Sequence, residues 1–233
     1  MVKALTFDVF GTVADWRTSI TDEGRRLGAA RGIEADCEAF ADAWRAGYEP
    51  AMKRVRLGEM PWTNIDSLHG MILDELLPRF GITGLDDADR EDFNRAWHRL
   101  SPWPDVVPGL TRLRDRFVIA TLSNGNVAML TNMAKNAGLP WDCILSSELA
   151  RHYKPDPEVY QTAADLLGLD TREVLMVAAH PFDLKAAQAV GMQAAYVSRP
   201  LEFGPGRQPE DASGEDFQIH AADFEDLAGQ LSC

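Results

Sequence analysis

The chain opens on an apolar run that climbs to one carboxylate. Leu5, Phe7 and Val9 are strand formers with no charge among them until Asp8, and Gly11-Thr12 then turns the chain away. Such a run reads as a strand buried on both faces. From Trp16 to Arg99 the pattern changes to a helical period. Phe40, Trp44 and Tyr48 recur every four residues, and Pro50 should end or kink that helix. Ile65, Leu68, Ile72 and Leu76 make a second stripe, with Thr63 or Asn64 as cap and Pro78 and Gly81 beyond its end. Phe93, Trp97 and Leu100 make a third, and Arg17 to Arg31 reads as a less periodic helix.

The proline-dense stretch Ser101 to Gly109 breaks this pattern and marks a return to the first unit. Strands and helices then alternate. The expected strands are Phe117 to Leu122, Cys143 to Leu145, Val174 to Ala178 and Ala194 to Val197. The expected helices are Val127 to Ala137, Pro157 to Leu167, Leu184 to Val190 and Ala221 to Leu231. Alternation of this kind predicts an α/β protein: a Rossmann-like, doubly wound parallel sheet with an inserted helical cap domain. Residues 1–14 and 100–233 are the expected core and 15–99 the cap, placed to exclude water from the sheet's functional edge. Glu202 to Asp216, rich in Gly, Pro and acid, reads as a solvated loop.

The 233 residues include 45% hydrophobic and 25% charged positions, ordinary for a globular protein. The formal net charge of -13 disfavours nucleic acid and anionic membrane as partners, though a local positive site can still take a small anion. Cys37, Cys143 and Cys233 are far apart and odd in number, which suggests neither a metal site nor a disulfide framework. There is no basic segment leading into a long apolar run at the N-terminus, and no stretch of about 18 apolar residues. A cytoplasmic protein is the expectation.

Polar clusters follow four of the predicted strands. They are Asp8; Ser123-Asn124-Gly125; Tyr153-Lys154-Pro155-Asp156; and His180-Pro181-Phe182-Asp183. Ligands of open α/β sheets collect at the carboxyl ends of strands, so these groups share one rim. The order and content, carried by Phe7-Asp8-Val9-Phe10-Gly11-Thr12, Leu122-Ser123-Asn124-Gly125 and Tyr153-Lys154-Pro155-Asp156, resemble the haloacid dehalogenase superfamily over nearly the whole chain. Most of that superfamily are Mg-dependent phosphatases with a second aspartate two residues after the nucleophile. Here that position is Phe10, which cannot donate a proton, and the usual metal-binding position of the fourth motif is Ala179. Phosphoryl transfer needs charge neutralisation, typically by a metal, so both changes argue against a phosphatase or phosphonate hydrolase. Asp8, Ser123, Lys154 and Asp183 together weigh against a catalytically silent binding member.

Aspartate, an aromatic at the second position and Gly-Thr resemble the L-2-haloacid dehalogenase (type II) branch, which has a cap after strand one and uses no metal or other cofactor. The resemblance implies hydrolysis of short L-2-haloacids to 2-hydroxy acids with inversion, through an ester on Asp8. It implies that Thr12 bonds Asp8 and that Lys154 keeps Asp8 ionised. Ser123 and Asn124 would bind the substrate carboxylate, and Asn124 would assist with halide. Arg45, beside Trp44, would receive halide, and Phe10 and Phe182 would line the carbon side of the pocket. The fourth motif departs from the branch's Ser and Asn: Ala178 and His180 stand there instead. Histidine is a competent base near neutral pH, so His180 is expected to deprotonate or orient the water. Asp15 or Glu23 is expected to align it, and Asp183 to position Lys154. His69, His98, His152 and His220 have no constellation and read as surface or structural. The substrate is a small anionic haloacid and the product a halide; the family resemblance adds a homodimer as the expected assembly.

Overall fold

A computed structural model describes residues 1–208 and 210–233. Strand β1, Ala4–Phe7, is buried throughout and ends one residue before Asp8. A two-residue strand, β2 (Ala14–Asp15), then leads into four helices: α1 (Trp16–Arg31), α2 (Cys37–Arg56), α3 (Ile65–Arg79) and α4 (Asp87–Asn94). A 3-10 turn over Arg95–His98 follows. The chain returns through β3 (Ser101–Pro102), which pairs antiparallel with β2. Departure and return are thus joined in one short ribbon.

The alternating part contains α5 (Val106–Arg114), β4 (Val118–Ser123), α6 (Val127–Ala137), β5 (Cys143–Ser146) and α7 (Ser147–Ala150). It continues with α8 (Pro157–Leu167), β6 (Val174–Ala178), α9 (Pro181–Ala189), β7 (Gln193–Val197), β8 (Ile219–Ala221) and α10 (Phe224–Gln230). The sheet order is β5-β4-β1-β6-β7-β8, with all the pairings parallel. β1 is therefore central, and its carboxyl end lies between those of β4 and β6. Successive side chains of a strand face opposite sides. Leu175 and Val177 join Leu5, Phe7 and Ile119 in one core layer, where Phe7 stacks on Phe224 of α10 at 5.5 Å. Val174, Met176 and Ala178 join Ala120, Leu122 and Tyr160 in the other. A sheet covered on both faces needs apolar residues at nearly every position, which explains the uncharged runs.

Several boundaries differ from the sequence reading. α2 runs through Pro50 to Arg56, and Pro78 lies inside the last turn of α3. In α2 the apolar stripe continues past the proline to Met52, 1% exposed, so burial on both sides offsets the missing hydrogen bond. Ser101 to Gly109 is not wholly a breaker, since α5 begins at Val106 and takes in Pro108 and Gly109. Asn64, not Thr63, caps α3 by accepting from the Ser67 amide. The last helix starts at Phe224, because Ile219–Ala221 is drawn into the sheet by pairing with β7.

Candidate active site

β1 delivers Asp8 to the rim, and its amide still donates to Val177 O of β6, 2.9 Å, so the backbone there is fixed. Gly11 follows with φ +86°, a left-handed turn that favours glycine. The turn brings Thr12 back over Asp8. Thr12 Oγ1 donates to Asp8 Oδ2 at 2.7 Å and accepts from the Ala179 amide at 2.9 Å.

Lys154 approaches from the loop after α7. Its amide donates to Asn124 Oδ1, 2.7 Å. Its ammonium donates to Asp8 Oδ1 at 2.9 Å, Asp183 Oδ2 at 2.5 Å and Leu122 O at 2.9 Å. An ammonium has three protons, and each has an acceptor. Tyr160 of α8 closes the array by donating to Asp183 Oδ1 at 2.5 Å. On the other side, His180 Nδ1 lies 3.1 Å from Asp8 Oδ2 and Nε2 lies 3.1 Å from Glu202 Oε1. Asp8, Thr12, Lys154, Asp183, Tyr160, His180 and Glu202 are all buried, so their interactions are little screened.

Burial alone would raise Asp8, but Lys154, His180 and Thr12 hold its carboxyl well below the usual range. Burial would lower Lys154, and Asp183 and Asp8 raise it instead. Burial would likewise lower His180; hydrogen bonds to Asp8 and Glu202 push it up to about 10. In the free protein the imidazole is therefore a cation between two carboxylates.

The acid facing His180 is a correction. Asp15 caps α1 by accepting from the Thr18 amide, and Glu23 is paired with Arg26 and Arg99. Glu202 stands against His180 in their place, although Glu202 to Asp216 reads as a solvated loop. Glu202 is 3% exposed, and Trp16 Nε1 also donates to it, 3.3 Å. A Cβ on Gly11 would stand 2.1 Å from its carboxylate, so the turn and the acid require glycine together. Ala212 in the same segment and Phe217 just after it are buried too, and Pro209 lies outside the described residues. The overlooked signal is that Glu202 lies just beyond β7, on the rim that gathers the other groups.

The remaining expected residues are divided. Ser123 is fully buried and accepts from the Gly125 amide. Asn124 Nδ2 lies 3.5 Å from Met52 Sδ. Phe10 is buried, edge-on to Trp97 at 5.7 Å and to Tyr48 at 6.3 Å. The Arg45 guanidinium lies over Tyr48 at 4.6 Å and near Trp16 at 5.8 Å. Its buried Nε has no hydrogen-bond partner among the described residues. Tyr48 is more than core stripe: its hydroxyl lies beside Asn124. Phe182 departs from expectation, being 53% exposed; it stands at the rim 5.8 Å from His180 and is not a buried wall. His69 and His98 are buried, the first stacked on Trp97 and the second between Asp66 and Asn132.

A divalent cation does not suit this donor set. The Lys154 ammonium already stands between Asp8 and Asp183, and among the described residues no group of three or more His, Cys, Asp or Glu could hold a metal ion.

A parallel sheet that presents an aspartate against a lysine at its central rim, with helices inserted after the first strand, is the plan of the haloacid dehalogenase-like hydrolases. The family model for these hydrolases matches residues 2–191. An (S)-2-haloacid dehalogenase of Xanthobacter autotrophicus is 32% identical over 204 residues, 85% of this chain and 76% of the relative. The crystal structure of a defluorinating L-2-haloacid dehalogenase superposes with a TM-score of 0.96 at 45% identity, covering 100% of this chain and 96% of that one. A structure of the L-2-haloacid dehalogenase from Xanthobacter autotrophicus with chloropropionic acid covalently bound gives 0.83 at 26% identity, covering 100% and 99%. The chain belongs to the haloacid dehalogenase-like hydrolases, in their L-2-haloacid dehalogenase branch.

Proposed function

We propose that this chain hydrolyses short L-2-haloacids to 2-hydroxy acids with inversion, through an ester on Asp8 and without a metal. The observation that carries the reading is the environment of Asp8. It is held ionised by Lys154, Thr12 and His180, and Phe10 stands where an acid for a poor leaving group would be needed. Halide needs no protonation to leave. The relative with chloropropionic acid covalently bound supports the covalent route.

Asp8 Oδ1 has one donor and Oδ2 has two, so Oδ1 is the freer nucleophile. It attacks C2 of the substrate; the C2–halogen bond breaks, and halide leaves with the electron pair. Water then attacks the carboxyl carbon of the ester and gives one proton to His180, whose own proton has passed to solvent once the Asp8 charge is gone. Oδ2, facing Thr12 and His180, takes up the negative charge, which those donors stabilise. The Cγ–Oδ1 bond breaks, the proton remaining on the added oxygen passes to Oδ1, and Oδ1 leaves with the product as its new hydroxyl. Arg45 and Asn124 receive the halide, and Ser123, Asn124 and nearby amides orient the substrate carboxylate. The helical block acts as the cap that keeps bulk water from the ester. The substrate is thus a small anion, and the assembly proposed for the chain is a homodimer in the cytoplasm.

Halide release is expected from one enantiomer of 2-chloropropionate, undiminished by chelator. In a single turnover in oxygen-18 water, label should enter the Asp8 carboxylate and not the product. Label passing straight into the product would end the covalent reading, and Mg-dependent release of phosphate from an ester would replace it.

A further inference from the structure

One face of α2 runs along the rim. Tyr48, Met52 and Arg56 are four residues apart and so share that face. Tyr48 and Met52 meet Asn124. Arg56 goes further, into the main chain of the lysine loop. Its guanidinium donates to Tyr153 O at 3.1 Å and to Lys154 O at 2.5 Å. Nε of the same group lies 3.3 Å from Asp156, and Nη1 3.3 Å from Glu49. Two further contacts tie this loop to the helical block. The Tyr153 hydroxyl donates to Thr63 O, and its ring packs on Trp62 at 4.6 Å.

We propose that Arg56 is a positioning residue for Lys154. It touches none of the reacting atoms; it fixes the main chain from which the lysine reaches Asp8. The lysine stem is flexible, and its ammonium has to satisfy three acceptors at once. That is possible only if the Cα from which the stem starts is held. The Lys154 amide is anchored on the core by Asn124, and the carbonyl side is anchored on α2 by Arg56. One nitrogen, Nη2, donates to both successive carbonyls while Nε and Nη1 of the same plane face Asp156 and Glu49, an arrangement of four partners that an ammonium cannot copy in the same geometry. Any shift of α2 is thereby transmitted to the charge that keeps Asp8 ionised. A displacement of about 1 Å at a reacting group can cost on the order of 100-fold in rate.

The kinetic arm rests on the dehalogenase reading; a second arm does not. R56A and R56K are compared with the wild type by halide release from L-2-chloropropionate and by hydrogen exchange over residues 151–156. In R56A, kcat should fall about 10- to 100-fold with KM little changed, and exchange over 151–156 should quicken. R56K should recover little, whereas guanidinium ion in the buffer should restore part of the R56A rate. Arg56 is partly exposed, so loss of the fold is not expected; should R56A fail to fold, R56K carries the same test. An R56A kcat within about twofold of wild type, or unchanged exchange, overturns the proposal. If the wild type itself releases no halide, the dehalogenase reading fails, and the exchange arm alone decides whether Arg56 holds the loop.

Discussion

His180 faces Asp8 on one side and Glu202 on the other, and on the proposed route this sets its protonation at each stage. Beside an ionised Asp8 it holds its proton and cannot act as a base at neutral pH. Esterification removes the Asp8 charge and with it part of the attraction that holds the proton. The proton affinity of the imidazole therefore falls at the step in which water must be activated. For H180A, ester formation should persist while its hydrolysis stalls. Mass spectrometry after mixing with substrate should find the adduct on Asp8, and normal turnover would remove His180 from the second step. At this scale Asp8, Thr12, Lys154 and Asp183 were legible, because each follows a recognisable strand and one rim collects them. Glu202 was not, because its neighbours Gly204, Pro205 and Gly206 have the composition of a solvated loop. Asp15 and Glu23 are near Asp8 in the chain, yet each is taken up by a local partner, a helix end or arginines.

Helices were read well where their stripe was strong and uncontested. Val127–Ala137 and Pro157–Leu167 have the bounds that periodicity predicts. Local rules failed where packing outweighed them. Pro50 is carried inside α2, and Gly109 inside α5, because faces of those helices are buried; Pro108 lies in the first turn of α5, where its missing N–H forfeits no helical bond. Gly109 shows why a breaker was kept there. A Cβ at this position would lie 2.7 Å from the main-chain carbon and oxygen of Phe224, so α5 and α10 touch backbone to backbone. In an exposed helix Gly→Ala gains about 0.5–1 kcal/mol. Here G109A should instead destabilise the protein by about 1–3 kcal/mol, because backbone cannot move aside cheaply. Urea unfolding measures it, and a stabilised variant would contradict the close approach.

The charge network makes the stability of the whole molecule depend on pH from two sides. His180 is raised from an unfolded value of about 6.5 to about 10, so the folded state binds the extra proton between these limits. Its contribution is complete below about pH 6.5 and is lost as pH rises through 10. Asp8 is lowered, so its contribution is present above the ordinary carboxylate value and is lost as pH falls below it. The stability difference between wild type and H180Q should shrink from pH 6 to pH 10, by up to roughly 1 kcal/mol per unit. A constant difference in urea unfolding would show that the folded imidazole is not cationic.

Sequence by itself determined the alternation of strands and helices, the helical insertion after β1, and four of the five loops that reach the active rim. Those properties follow from burial and from the direction of strands, which leave their period and their polar ends in the linear order of residues. Tertiary structure alone decided which acid faces His180, which prolines a helix keeps, and how Arg56 of α2 reaches the lysine loop. Each depends on groups 22 to 98 residues apart, or on how much apolar surface a neighbour covers. The energy of a buried contact between such groups has no counterpart in local propensity.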